Sequence, residues 1–173
     1  MWKAVEPRLT LNQMLEPRTR FLPEDSAEPT IYAGIKSQCD FHLRSNCMSN
    51  RLLSATGVPA EDALAMNKDL DAWSETLPPY FEMDRKVSCR YKWYLFAKAR
   101  LWWRFWNMKI IIFRHILLRS AMRDKGEEPQ STPNPADAKC RETCIAAAHE
   151  SIISIHNFLD GVAPSKFVGW YAM

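Results

Sequence analysis

The chain has 173 residues, is 47% hydrophobic and 25% charged, and has a net charge of +3. That is the balance of one ordinary globular domain, not of a disordered chain. The small net charge conceals an asymmetry: eleven Lys/Arg and no Asp or Glu lie between Arg85 and Arg123, which leaves the rest of the chain at −8.

Composition excludes several classes. The N-terminus, Met1 through Pro7, has no apolar core of a secretory signal, so an intracellular chain without a signal peptide is expected. No apolar run approaches the roughly 20 residues of a membrane helix. Near the basic block the longest is Ile110 to Phe113. The cysteines are Cys39, Cys47, Cys89, Cys140 and Cys144, an odd number that argues against a disulfide framework. Scarce glycine and long helix-forming runs point to an all-α chain.

In chain order, residues 1–29 carry Pro7, Pro17, Pro23 and Pro29 and read as an extended lead-in. Residues 30–173 then read as one helical unit. A first helix is predicted from Thr30, its cap, to Leu53, with Ile31, Ile35, Cys39 and His42 recurring at helical spacing and Gly57 closing the segment. A second is predicted from Pro59 to Leu77, with Glu61 and Asp62 at its positive end and Leu64, Leu70, Trp73 and Leu77 on an apolar face. Pro78 and Pro79 stop it.

The third predicted helix, Val87 to Met122, carries Trp93, Trp102, Trp103, Trp106, Phe96, Phe105 and Phe113 on all sides. A helix that is apolar all round is a central, buried one. The fourth is predicted to open at Pro135, with Asn134 as N-cap and Asp137 in the first turn. Its stripe is Cys140, Cys144, Ala147, Ala148, Ile152, Ile155 and Leu159, and it ends at Gly161. The tail through Trp170 and Tyr171 is read as a short further element. The fold expected is an all-α bundle or array of four or more helices around a long aromatic central helix.

Interleaved basic and aromatic residues can bind single-stranded nucleic acid, provided the charges share one face. Arg100, Arg104 and Arg114 fall within an arc of about 80°, but Lys98, Lys109 and Arg123 lie opposite. The preferred reading is a core helix whose basic stems pair with acids on its neighbours, Arg100, Arg104 and Arg114 above all. Cys140, Cys144, His149 and His156 could in principle ligate zinc, but no Cys-x-x-Cys pair accompanies them, and the two cysteines occupy core positions. No metal site is assigned. No phosphate loop, nucleophile elbow or zincin motif occurs, and no catalytic or cofactor-binding residue is assigned. The chain is read as not an enzyme.

The order of segments carries a resemblance. Glu28-Pro29-Thr30 enters one helix and Gly57-Val58-Pro59-Ala60-Glu61 the next; Leu70 to Phe81 ends in Trp73, Leu77 and Pro78. Leu101 to Lys109 and Ile112-Phe113-Arg114 follow, with Trp103, Arg104 and Arg114, and then Cys140 to Ala148, with Cys140 and Cys144. Over roughly residues 24 to 171 this resembles the later part of the fungal-specific transcription factor domain, the middle homology region of fungal zinc-cluster regulators. His115 stands where that family commonly has proline after the arginine, so the helix is expected to continue through Leu118.

The resemblance implies a nuclear, regulatory segment that modulates transcription by RNA polymerase II without touching DNA. Zinc is implied only for an upstream DNA-binding module, since none of the five cysteines has the spacing of that cluster. The chain reads as a partial member lacking that module and the first half of the regulatory domain, which predicts an exposed apolar patch on the aromatic helix. Implied partners are proteins: the rest of the regulator, a dimer partner or transcriptional cofactors. A stand-alone interaction module, a dominant-negative-like partner, is the alternative, and a nucleic-acid binder a more distant one.

Overall fold

The computed structural model describes residues 29–54, 57–83, 85, 91–123 and 134–161. The expected lead-in up to Glu28 and the element around Trp170 and Tyr171 lie outside the described residues. Within them the chain is an all-α array: α1 (Ile31–Ser54), α2 (Ala60–Ser74), a single 3₁₀ turn (Pro79–Phe81), α3 (Lys92–Arg123) and α4 (Pro135–Gly161). No described helix is long and apolar enough to cross a membrane.

Local chemistry sets the boundaries. The Thr30 hydroxyl accepts the amide of Ala33 at 3.1 Å and caps α1. Asn134 Oδ1 accepts the amide of Ala136 at 3.0 Å and caps α4, with Asp137 in its first turn. Pro59 sits one residue before α2 rather than inside it, and Glu61 and Asp62 occupy the first turn. α2 ends at Ser74, before Leu77, because the Ser74 and Thr76 hydroxyls donate to the carbonyls of Asp71 and Trp73 and bend the chain away. α3 runs without a break past His115 to Arg123, as expected for a helix with no proline there.

α3 is the centre. It packs against α1, α2 and α4, and α4 also touches α2. Aromatic contacts radiate from it. Phe105 meets Trp73 of α2, which in turn meets Phe41 of α1 at 5.2 Å. On the other side Trp103 meets Phe158 of α4 edge-on at 5.2 Å and donates its indole N–H to Ser154 Oγ. Trp102, Trp103, Phe105, Trp106 and Phe113 are all buried. Over the middle of this helix the expected exposed patch is not found among the described residues, although Leu118 and Met122 near its end are 57% and 75% exposed.

Two expected faces need correction. On α1, Ile31 and Ile35 are 61% and 59% exposed, and Cys39 and His42 are exposed with them. The buried face is Gly34, Ser37, Phe41, Ser45 and Met48. Gly34 packs close under the opposing surface: a Cβ there would lie 3.6 Å from Phe81 and 3.7 Å from Trp93, at ordinary contact distance. On α4, Cys140, Cys144 and Ala147 are buried as expected, but Ile152 is 67% exposed and Leu159 37%. The helix presents small residues to α3, Ile155 packs at the edge of the core as expected, and Ile152 and Leu159 fall outside it.

The turn between α2 and α3 is held by α3 itself. Trp102 Nε1 donates to the carbonyl of Phe81 at 2.8 Å, and the Tyr94 hydroxyl donates to the carbonyl of Tyr80. Both acceptors are buried, so each needs a donor. Trp102→Phe keeps an aromatic ring but leaves the Phe81 carbonyl without its donor, an expected loss of about 1–3 kcal/mol. Trp102→Ala adds a cavity, for about 3–5 kcal/mol. Urea unfolding of the two variants beside the parent checks both the order and the size.

Candidate functional site

The residues that carry the resemblance do not form a cleft. Trp73, Leu77, Trp103, Cys140 and Cys144 are buried in one continuous core, and Pro78 is half-buried at its edge. Arg104 and Arg114 lie at the surface of α3, half-buried and exposed respectively. What these residues build is a packed junction of α2, α3 and α4, with polar groups around its border.

The first border cluster joins α3 to α1. Arg104 donates to Gln38 Oε1 at 3.0 Å and to His42 Nε2, and Gln38 Nε2 donates onward to the carbonyl of Ala97 at 3.3 Å. Arginine can only donate, so His42 Nε2 is an acceptor and the imidazole is neutral, with its proton on Nδ1. Desolvation, then the positive charges of Arg104 and Arg100, hold the His42 pKa below its ordinary value. The cluster thus gives Arg104 an amide and an imidazole acceptor on α1.

The second cluster joins α3 to α2. Lys109 pairs with Asp71 at 2.5 Å and lies 4.8 Å from the centre of the Phe105 ring. Asn67 donates to the other Asp71 oxygen at 2.8 Å. Acidic α2 does supply a partner for the basic helix, but to a lysine on the far side from Arg104. Arg114 makes no hydrogen bond or ion pair among the described residues. It lines, with Leu52, Leu53, Val58, Ile111 and His115, an open groove of about 500 Å³ at the end of α1. Next to it His115 Nε2 donates to the carbonyl of Val58 at 3.0 Å and ties α3 to the α1–α2 connection.

The cysteines face inward. Cys140 Sγ donates to the carbonyl of Ala60 at 3.6 Å and Cys144 Sγ to that of Ile110 at 3.9 Å. Burial, with the nearby charges of Asp137 and Glu61, pushes the Cys140 thiol up to about 11, and burial raises Cys144 as well. Thiols in this state are poor nucleophiles and poor ligands, since both roles require the thiolate. His149 and His156 lie on the opposite, exposed face of α4. The four residues weighed as zinc ligands therefore do not converge. Among the described residues no group of three or more His, Cys, Asp or Glu is placed to hold a metal.

Sequence reasoning missed the role of Gln38 and His42. Their spacing of four residues on α1, matched to Arg100 and Arg104 four apart on α3, is the signal that pointed to it. No protein-family model, curated protein or solved structure matches the chain.

The His42 contact has a pH consequence. A histidine whose pKa is lower in the folded chain than its ordinary value of 6.5 stabilises the fold above that value. Its contribution is lost as pH falls, because the unfolded chain takes up the proton first. The thermal midpoint is expected to drop between neutral pH and about pH 5. His42→Gln keeps an acceptor for Arg104 and is expected to flatten that drop relative to the parent. Equal slopes in parent and variant melting series would remove His42 from the account.

Proposed function

We propose that the chain is a regulatory segment of a fungal zinc-cluster transcription factor, acting in the nucleus by packing against protein partners. The observation that supports this reading is the convergence of Trp73, Leu77, Trp103, Cys140 and Cys144 in one core. Those residues come from three separate segments of the chain, and the resemblance groups them as one signature. In this reading the segment transmits or restrains activity mechanically: a partner or effector that shifts α3 relative to α1 or α4 changes how the segment sits on its neighbours. DNA contact and zinc belong to a separate module, and no residue of this chain has a catalytic role.

A stand-alone interaction module is the second reading. It is favoured by the apolar residues that α1 and α4 turn outward, among them Ile31, Ile35, Leu43, Ile145 and Ile152. A direct nucleic-acid role has less support, because Lys109 and Arg104 are engaged by α2 and α1 on different sides of α3.

A reporter assay in a fungal cell tests the regulatory reading. The chain is inserted between a heterologous DNA-binding domain and an activation domain. Reporter output is expected to change by at least about threefold against a flexible linker of equal length, and Trp102→Ala is expected to abolish the change. Unchanged output with a nuclear, folded insert would contradict the reading.

A further inference from the structure

α4 has two faces, and its packing on α3 uses one. Cys140, Ala147 and Ser154, seven residues apart, mark the inner side: the first two are buried and Ser154 takes the Trp103 indole. The outer side carries Ile145, His149, Ile152, His156 and Leu159. Their spacings are four, three, four and three residues, the repeat of a two-helix seam. Ile145 is 57% exposed and Ile152 67%, and both histidines are exposed. The outer face of α1 carries a similar repeat, Tyr32, Ile35, Cys39 and His42, but it turns polar at Asn46.

We propose that the outer face of α4 is a self-association surface that pairs antiparallel with α4 of a second copy of this chain. Charge and size complementarity select that occupant. In the antiparallel register each histidine of the seam lies against an isoleucine of the other copy, His149 on Ile152 and His156 on Ile145. Lys139 at the start of one helix flanks the seam opposite Asp160 at the end of the other, and Ala146 lies opposite Ile153, small against large. A parallel pair would instead stack His149 on His149 and His156 on His156, and would leave Lys139 and Asp160 a helix length apart. The charges are free to re-pair: Lys139 now meets Glu142, and Asp160 meets His156 at 3.5 Å, in contacts more than 60% exposed on both sides. Such pairs contribute little by themselves.

This surface is independent of the regulatory reading; it operates equally in a stand-alone protein. Sedimentation equilibrium of the full chain over a rising concentration series tests it. A monomer–dimer equilibrium is expected. Ile152→Glu is expected to weaken the dimer at least about tenfold while circular dichroism and the melting midpoint stay unchanged, since the side chain lies outside the core. Ile35→Glu on α1 is the control and leaves the dimer intact. Lys139→Glu weakens it about threefold, and adding Asp160→Lys restores it. A chain that stays monomeric throughout overturns the proposal, as does a dimer broken by Ile35→Glu and not by Ile152→Glu. A dimer with no charge-swap rescue overturns the antiparallel register.

Discussion

The turn at Pro78-Pro79-Tyr80-Phe81 is the constraint on which the rest depends. Two prolines bring no backbone donors, and the chain must reverse there between α2 and α3. The reversal is packed inside: Tyr80 and Phe81 are buried, and their carbonyls would be costly without donors. α3 supplies both from aromatic side chains, the Tyr94 hydroxyl and the Trp102 indole N–H. Phenylalanine could fill the same space but could not make the same turn. Buried in this way, Phe81 presents a bulky surface to α1, and Gly34 packs against it.

The charge asymmetry has its explanation in the same architecture. A central helix reached from three sides cannot gather its cations into one stripe. Each is handled by the element beside it. Lys109 finds Asp71 on α2, while Arg104 finds a glutamine and a histidine on α1. Burial first, and then the positive charges of Arg104 and Arg100, hold the His42 pKa below its ordinary value. The basic block is in part balanced between helices and in part left exposed at Arg114.

Much of the fold was legible because capping chemistry is local. Thr30, Pro59, Asn134 and the Pro78-Pro79 pair placed the helix ends within a few residues, and aromatics on every side of residues 93–113 identified the central helix. What was not legible was which side of a helix faces inward. Counting apolar residues favours Ile31 and Ile35 on α1 and Ile152 on α4, yet the faces that are buried are Gly34, Ser37 and Phe41 on α1 and Cys144 and Ala147 on α4. The core half of the resemblance residues could be read in advance. The Arg104 cluster was less legible, because Gln38 and His42 are neutral groups that a charge count does not single out.

Hydrogen exchange at the Trp102 indole N–H is the most direct test of the central role given to the turn. This proton is buried against the Phe81 carbonyl, so it should exchange only when the whole array unfolds. Its protection should then equal the free energy of global unfolding measured by denaturant. Exchange at the rate of a frayed helix end, in a chain whose α3 backbone amides remain protected, would show that the turn opens on its own and does not hold the helices together.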